Sequence, residues 1–155
     1  MRALIQRVLE ATVLVGTQQV GGIRAGLLAY IAVSRDDTDQ SAAWIAEKIR
    51  YLRVFPDTEG KLNLDVVQSG GEILAVSAFT LLGSAQKGRR PSFDLAAGGQ
   101  AAEQLYDRAC SLLSGYGPTV QRGVFGADMK VHSINDGPVC ILIDSASGRN
   151  ETAAV

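Results

Sequence analysis

The sequence predicts one α+β domain, a small, mostly antiparallel, barrel-like sheet covered by two main helices. Three observations lead there. Extended apolar segments come in runs joined by short turns, whereas a doubly wound parallel sheet would alternate strand and helix throughout. Only residues 44–52 and 102–112 place apolar side chains at helical spacing. The 155 residues, 46% of them hydrophobic, are enough for one core but tight for two.

Residues 3–15, rich in Val, Leu, Ile and Thr, read as a strand, residues 16–19 as a turn, and Val20 as the start of a short return strand. The unbroken apolar run 26–33 suits a strand buried on both faces. Residues 34–39 offer N-cap candidates for a first helix that would bury Trp44, Ile45, Ile49 and Leu52. Val54 and Phe55 then lead into a turn at 56–60, and residues 73–77 form another central strand. A second helix over 100–114 carries the stripe Ala102, Leu105, Tyr106, Ala109 and Leu112, with Gly115 as its C′ residue. Strands at 119–125, 129–134 and 139–144 complete the domain, 1–144, and residues 145–155 lack the large apolar anchors that would hold a tail in place.

Fifteen Lys and Arg against sixteen Asp and Glu exclude a strongly basic nucleic-acid binder, although not a local basic patch. The longest apolar run falls well short of the ~20 residues that span a bilayer, so no membrane association is expected. Met1 leads directly into Arg2-Ala3-Leu4-Ile5-Gln6-Arg7 without a signal-peptide core, which points to the cytoplasm. The two cysteines have no metal-ligand spacing and His132 is the one histidine, so no structural metal is expected.

Most catalytic patterns fail. There is no phosphate-binding P-loop, and Gly115-Tyr116-Gly117 follows a helix where a dinucleotide fingerprint would open one. His132 alternates with Val131 on a strand, which suits a partly exposed histidine better than a catalytic base. Cys140, within the apolar run 139–143, and Cys110, on the second helix, read as packed small hydrophobes. Two segments stand out. Ser77-Ala78-Phe79-Thr80-Leu81 ends a core strand with two hydroxyls, suiting either local backbone bonds or a substrate site with free N–H groups. Asn135-Asp136-Gly137-Pro138-Val139 reads as a hairpin turn, or as a proline turn able to take a cis bond. A weaker third, Lys87-Gly88-Arg89-Arg90-Pro91-Ser92-Phe93, clusters cations as a phosphate contact would, or as a solvated loop does.

Taken in order, these segments resemble the D-aminoacyl-tRNA deacylases over about residues 1–144. The opening Met1-Arg2-Ala3-Leu4-Ile5-Gln6-Arg7-Val8 matches, as do Gly26-Leu27-Leu28, Glu59-Gly60-Lys61-Leu62-Asn63, Arg90-Pro91-Ser92-Phe93, Ala127-Asp128-Met129 and Asn135-Asp136-Gly137-Pro138-Val139. Each match is weak alone; their collinearity is strong. The resemblance implies a homodimer that hydrolyses the ester between a D-amino acid and the 3′-terminal ribose of tRNA, with glycyl-tRNA as a further substrate and no cofactor or metal. It implies a catalytic segment at Ser77, Phe79 and Thr80, where backbone N–H groups stabilise the oxyanion and the ribose 2′-hydroxyl helps activate water. Thr80 would be the nucleophile of a covalent route, but no base is placed by the sequence to take its proton. Substrate-binding positions would be Ala78, Arg90, Met129, Gly137 and Pro138, with a cis Gly137–Pro138 peptide entering the partner's site to exclude L side chains by clash.

The chain departs from the family signatures at two positions, with Ala78 in place of glutamine and Cys140 in place of threonine. Those changes keep two alternatives open: a relaxed editing enzyme for small L-aminoacyl-tRNA, and a catalytically weak paralogue that binds the RNA end.

Overall fold

The computed structural model describes residues 1–86 and 88–148. The strands are β1 (Arg2–Val15), β2 (Gln18–Ile23), β3 (Gly26–Ala32), β4 (Phe55–Pro56), β5 (Leu62–Leu64), β6 (Glu72–Ser77), β7 (Val120–Arg122) and β8 (Met129–Asp144). Helix α1 (Asp39–Tyr51) follows β3 and α2 (Gly99–Gly115) precedes β7; a 3₁₀ turn covers Phe79–Leu82, and a short α3 (Ser145–Gly148) follows β8.

The long first strand is bonded on both edges. Along one edge residues 2–8 pair with β3 and residues 11–15 with β2, while β8 lies along the other edge; all three pairings are antiparallel. β6 then runs parallel to β3, and β7 parallel to β6. Each of these connections passes through a helix, and a helical crossover returns the chain to the end of the sheet where it started, which makes the next strand parallel. The sheet is therefore mixed, mostly antiparallel, and it curls until β2 meets β7. At that seam a Cβ on Gly21 would sit 2.7 Å from the Arg122 carbonyl oxygen and 3.1 Å from Leu74 Cδ1, so only glycine permits the approach.

Two cores follow from the two-residue alternation of the strands. Ala3, Ile5, Leu27, Ala29, Ile31, Ile73 and Ala75 face the helices and pack against Ile45, Ile49, Ala102, Tyr106 and Leu113. The opposite face carries Val8, Val13, Leu28, Leu74 and Val76 into the barrel interior. As the sequence predicts, β3 is buried on both faces. The expected helix start is also found: the Thr38 N–H donates to Ser41 Oγ at 3.2 Å in a capping arrangement. Tyr106, fully buried on α2, donates its hydroxyl to the Ala75 carbonyl at 3.0 Å and fixes that helix over β6.

Several details differ from the sequence-based expectation. The left-handed residue that ends α2 is Gly117, at φ +105°, and Gly115 is still helical. Of the expected strand 119–125, residues 120–122 form β7 against β6, flanked by bonds from the Ile73 N–H to the Thr119 carbonyl and from the Gly123 N–H to the Ala75 carbonyl, both 2.9 Å, and residues 124–125 are no longer strand. Segments 129–134 and 139–144 are one strand, because both pair antiparallel with β1 in the same direction and a hairpin would have reversed the chain. The expected tail is anchored at its first residue. Ser145 is buried, its N–H donates to the Met1 carbonyl at 2.8 Å, and its hydroxyl and the Asp37 carboxylate both hold the Met1 ammonium. Residues 149–155 of that tail lie outside the described residues.

Two outcomes follow. Gly21→Ala forces a Cβ into the seam and costs about 1–3 kcal/mol, read as a lower denaturant midpoint with an unchanged slope. Asp144 is partly desolvated by burial, yet the Ala146 N–H and the Arg2 guanidinium outweigh this and hold its carboxyl below the ordinary range. A depressed carboxyl contributes stability above its ordinary pKa and loses it as pH falls through the folded value. Between neutral pH and about pH 3, Asp144→Asn therefore loses less stability than the parent in parallel urea titrations.

Candidate active site

A cleft of about 620 Å³ opens at the carboxyl ends of the parallel strands β3, β6 and β7, where open α/β sheets commonly take ligands. Tyr30, Val76, Phe125, Met129 and Val131 give it apolar walls, and Ser77, Thr80 and Asp128 supply polar side chains. Residues 125–128, in the turn between β7 and β8, close one side.

The chain is shaped here by the way β6 ends. The Ala78 N–H still donates to the Ile31 carbonyl at 2.9 Å, and the next residues coil into the 3₁₀ turn, with Leu81 N–H on Ala78 O at 3.1 Å and Gly83 N–H on Thr80 O at 3.0 Å. The first N–H groups of any helical turn have no partner within it. Among the described residues, the N–H groups of Phe79 and Thr80 donate to no acceptor, and both residues line the cleft. The Ser77 and Thr80 hydroxyls likewise make no hydrogen bond there. Phe79 is 55% exposed and meets Phe93 edge-on, with ring centroids 5.1 Å apart.

The sequence-derived residues divide into two places. Ser77, Ala78, Phe79, Thr80 and Met129 share the cleft. Arg90 is exposed in the 88–92 loop and outside the lining, and its neighbour Lys87 is outside the described residues. Gly137 and Pro138 are absent from the lining as well. They sit in a bulge of β8: Gln6 pairs with Cys140 and Val8 with Asn135, so Arg7 alone faces residues 136–139. The Gly137–Pro138 peptide is cis, the isomer the resemblance implies.

The bulge is held at both ends. Arg7, almost buried, donates Nη1–H to the Val54 carbonyl at 2.6 Å, and its Nε lies 2.9 Å from Asp136 Oδ2. Asn135 Oδ1 accepts the Val139 N–H at 3.2 Å across its base. Gly137 takes φ +126°, and a Cβ there would lie 2.8 Å from Val139 Cγ2 and 3.2 Å from Arg7 Nη2.

Cys140 is exposed, contrary to the buried role its apolar run suggested, whereas Cys110 is buried as expected. β8 leaves residues 140–142 open to solvent between the partly buried Val139 and Ile143; Cys140 Sγ there accepts amide N–H groups from Gln6 and Asn135 at 3.5 and 3.4 Å. His132 is exposed on β8, outside the cleft, as alternation predicted. Among the described residues no three or more His, Cys, Asp or Glu gather to hold a metal ion, and no helix is long and apolar enough to cross a membrane.

Sequence reasoning missed Tyr30, Phe125 and the Gly98–Gly99 pair, which also line the cleft. The available signal was Tyr30, a phenol interrupting an otherwise aliphatic strand.

The family model for D-Tyr-tRNA(Tyr) deacylase matches residues 4–144. A D-aminoacyl-tRNA deacylase of Geobacter sulfurreducens is 49% identical over 152 residues, covering 98% of this chain and 100% of that protein. One of Thermotoga petrophila is 48% identical over 146 residues, covering 94% and 98%. Among solved structures, one named c-Myc DNA Unwinding Element Binding Protein superposes with a TM-score of 0.88 at 40% identity, covering 94% of this chain and 99% of its own. A probable eukaryotic D-amino acid tRNA deacylase, at 21% identity and a TM-score of 0.77, shows the same fold over 92% and 98%. With matched family segments running from β1 to the end of β8, the chain belongs to the D-Tyr-tRNA(Tyr) deacylase family of D-aminoacyl-tRNA deacylases.

Proposed function

We propose that this protein hydrolyses the ester of D-aminoacyl-tRNA in the cleft at the end of β6, with Phe79 and Thr80 acting through their backbone N–H groups. The observation that carries this is the pair of N–H groups with no acceptor among the described residues, on residues that line the cleft. Water adds to the ester carbonyl, the developing oxyanion takes the two N–H bonds, and the ribose 3′-oxygen leaves with a proton as the acid is released. The ribose 2′-hydroxyl, vicinal to the ester, assists the water. Each preset donor is typically worth ~3 kcal/mol at the transition state. Thr80 is not needed as a nucleophile: no described residue hydrogen-bonds its hydroxyl as a base would, and Asp128 is the one carboxylate among the described residues of the cleft.

Selection of the D form is assigned to Gly137 and Pro138 of a second copy. Eight positions of strand separate Met129, in the cleft, from Gly137, which amounts to roughly 26 Å of extended chain and puts the bulge beyond its own cleft. Exposed Leu9, Ile134, Ile141 and Leu142 on β1 and β8 give the same ribbon an apolar surface, which supports self-association. A carbonyl-lined bulge placed against the α-carbon would clash with an L side chain and pass a D one, and glycine, without a side chain, would pass too. Glycyl-tRNA is therefore a second substrate, and Arg90 serves the RNA end from outside the cleft.

Release of amino acid from D-Tyr-tRNA and L-Tyr-tRNA tests this with two variants. Thr80→Ala keeps its N–H and retains activity within about threefold, since removing a main-chain donor would cost on the order of 10²-fold or more. Gly137→Ala places a Cβ against Val139 and Arg7 at positive φ and either erodes D-over-L selection or abolishes turnover. Loss of all activity in Thr80→Ala, or an unaltered D-to-L ratio in an active Gly137→Ala, contradicts the assignment.

A further inference from the structure

The cleft contains one phenol, and its placement follows from strand register. β3 and β6 run parallel with Tyr30 opposite Val76, so alternation puts Leu28 and Tyr30 on the same face as Leu74 and Val76. These residues form the inner core, and Tyr30 packs partly buried at its rim. The next β6-side position on that face is Ala78, whose N–H is bonded to Ile31, the residue after Tyr30. Tyr30, opposite Val76, and Ala78, two positions further along that face, thus lie diagonally to each other, and both line the cleft.

Two facts about this pair are unusual together. Half-buried phenols generally find a hydrogen-bond partner, yet the Tyr30 hydroxyl makes none among the described residues. Position 78, where the resembling signature has a glutamine amide that both donates and accepts, holds a methyl group. Partial burial raises the Tyr30 pKa, so the hydroxyl stays protonated at neutral pH and can both donate and accept, as an amide does.

We infer that Tyr30 is a substrate-binding residue of this cleft, its hydroxyl hydrogen-bonding the aminoacyl–ribose end of the substrate from β3 and taking the place of a glutamine side chain at position 78, just past the end of β6. The inference rests on the deacylase activity proposed above. It changes the meaning of Ala78, which becomes one half of a relocated polar group and not a sign of lost function.

The test compares wild type, Tyr30→Phe, Ala78→Gln and the double variant under single-turnover deacylation of D-Tyr-tRNA, with thermal melts of each. Tyr30→Phe keeps the ring and its packing, so the melting temperature holds while kcat/KM falls about tenfold, the loss of one hydrogen bond of about 1.4 kcal/mol. Ala78→Gln in the Tyr30→Phe background restores most of that loss. A Tyr30→Phe enzyme with wild-type kcat/KM overturns the inference, and so does a loss that Ala78→Gln fails to recover. Failure of the wild type itself to release the amino acid overturns the deacylase proposal, and this inference with it, before any variant is compared.

Discussion

β1 is the element on which the rest of the structure depends, because its backbone is bonded along both edges. A strand paired on both sides cannot slip by one residue without exchanging its two faces, and here each face fills a different core. Its start is fixed as well. Met1 is buried, and its ammonium is held by Asp37 and by the Ser145 hydroxyl beyond the end of β8. β3 and β8 are thereby set in register, and β6 follows from β3.

That register places the two parts of the candidate site. Ordering of β3 and β6 aligns Tyr30, Val76 and the first residues after Ser77 at one end of the barrel, where β6 ends and two N–H groups have no acceptor among the described residues. On the opposite edge of β1 the same constraint forces four residues of β8 past Arg7 alone, so residues 136–139 leave the sheet as a bulge. Arg7 and Asn135 keep that bulge in one shape. In the function proposed above, chemistry and selection sit at separate places along one chain, and a second copy is what would combine them. Ala78 and Cys140, the two departures from the family signatures, fall one in each place. Ala78 retains its bonded N–H, and Cys140 retains contacts to Gln6 and Asn135 through a weaker sulfur acceptor, so neither change removes the backbone that the account relies on.

Much of this was legible in the amino-acid sequence. The apolar run of β3, the capped start of α1 and the stripe of α2 carry strong periodic signals, and each is found close to its expected bounds. The parallel placement of β6 and β7 was not foreseen, because periodicity marks a strand without its neighbour; the helices between them were the available clue. Asp136-Gly137 suggested a hairpin by local preference, and the long-range pairing of both flanks with β1 outweighed it. Cys140 was misplaced because an apolar run on an edge strand can have one face in solvent. The segment from Ser77 to Thr80 was found, whereas Tyr30 was not, since one phenol in a buried strand has no spacing signature.

In the proposed reaction, main-chain donors at Phe79 and Thr80 bind the reacting carbonyl while Gly137 of another copy faces the α-carbon. A structure of the protein with a 3′-D-tyrosylamino-adenosine, whose amide replaces the ester and resists hydrolysis, tests it most directly. The amide carbonyl oxygen is expected about 2.7–3.1 Å from both N–H nitrogens, with the second copy's bulge against the α-carbon. A ligand seated away from the 3₁₀ turn, or a cleft filled entirely by one copy's own residues, contradicts it.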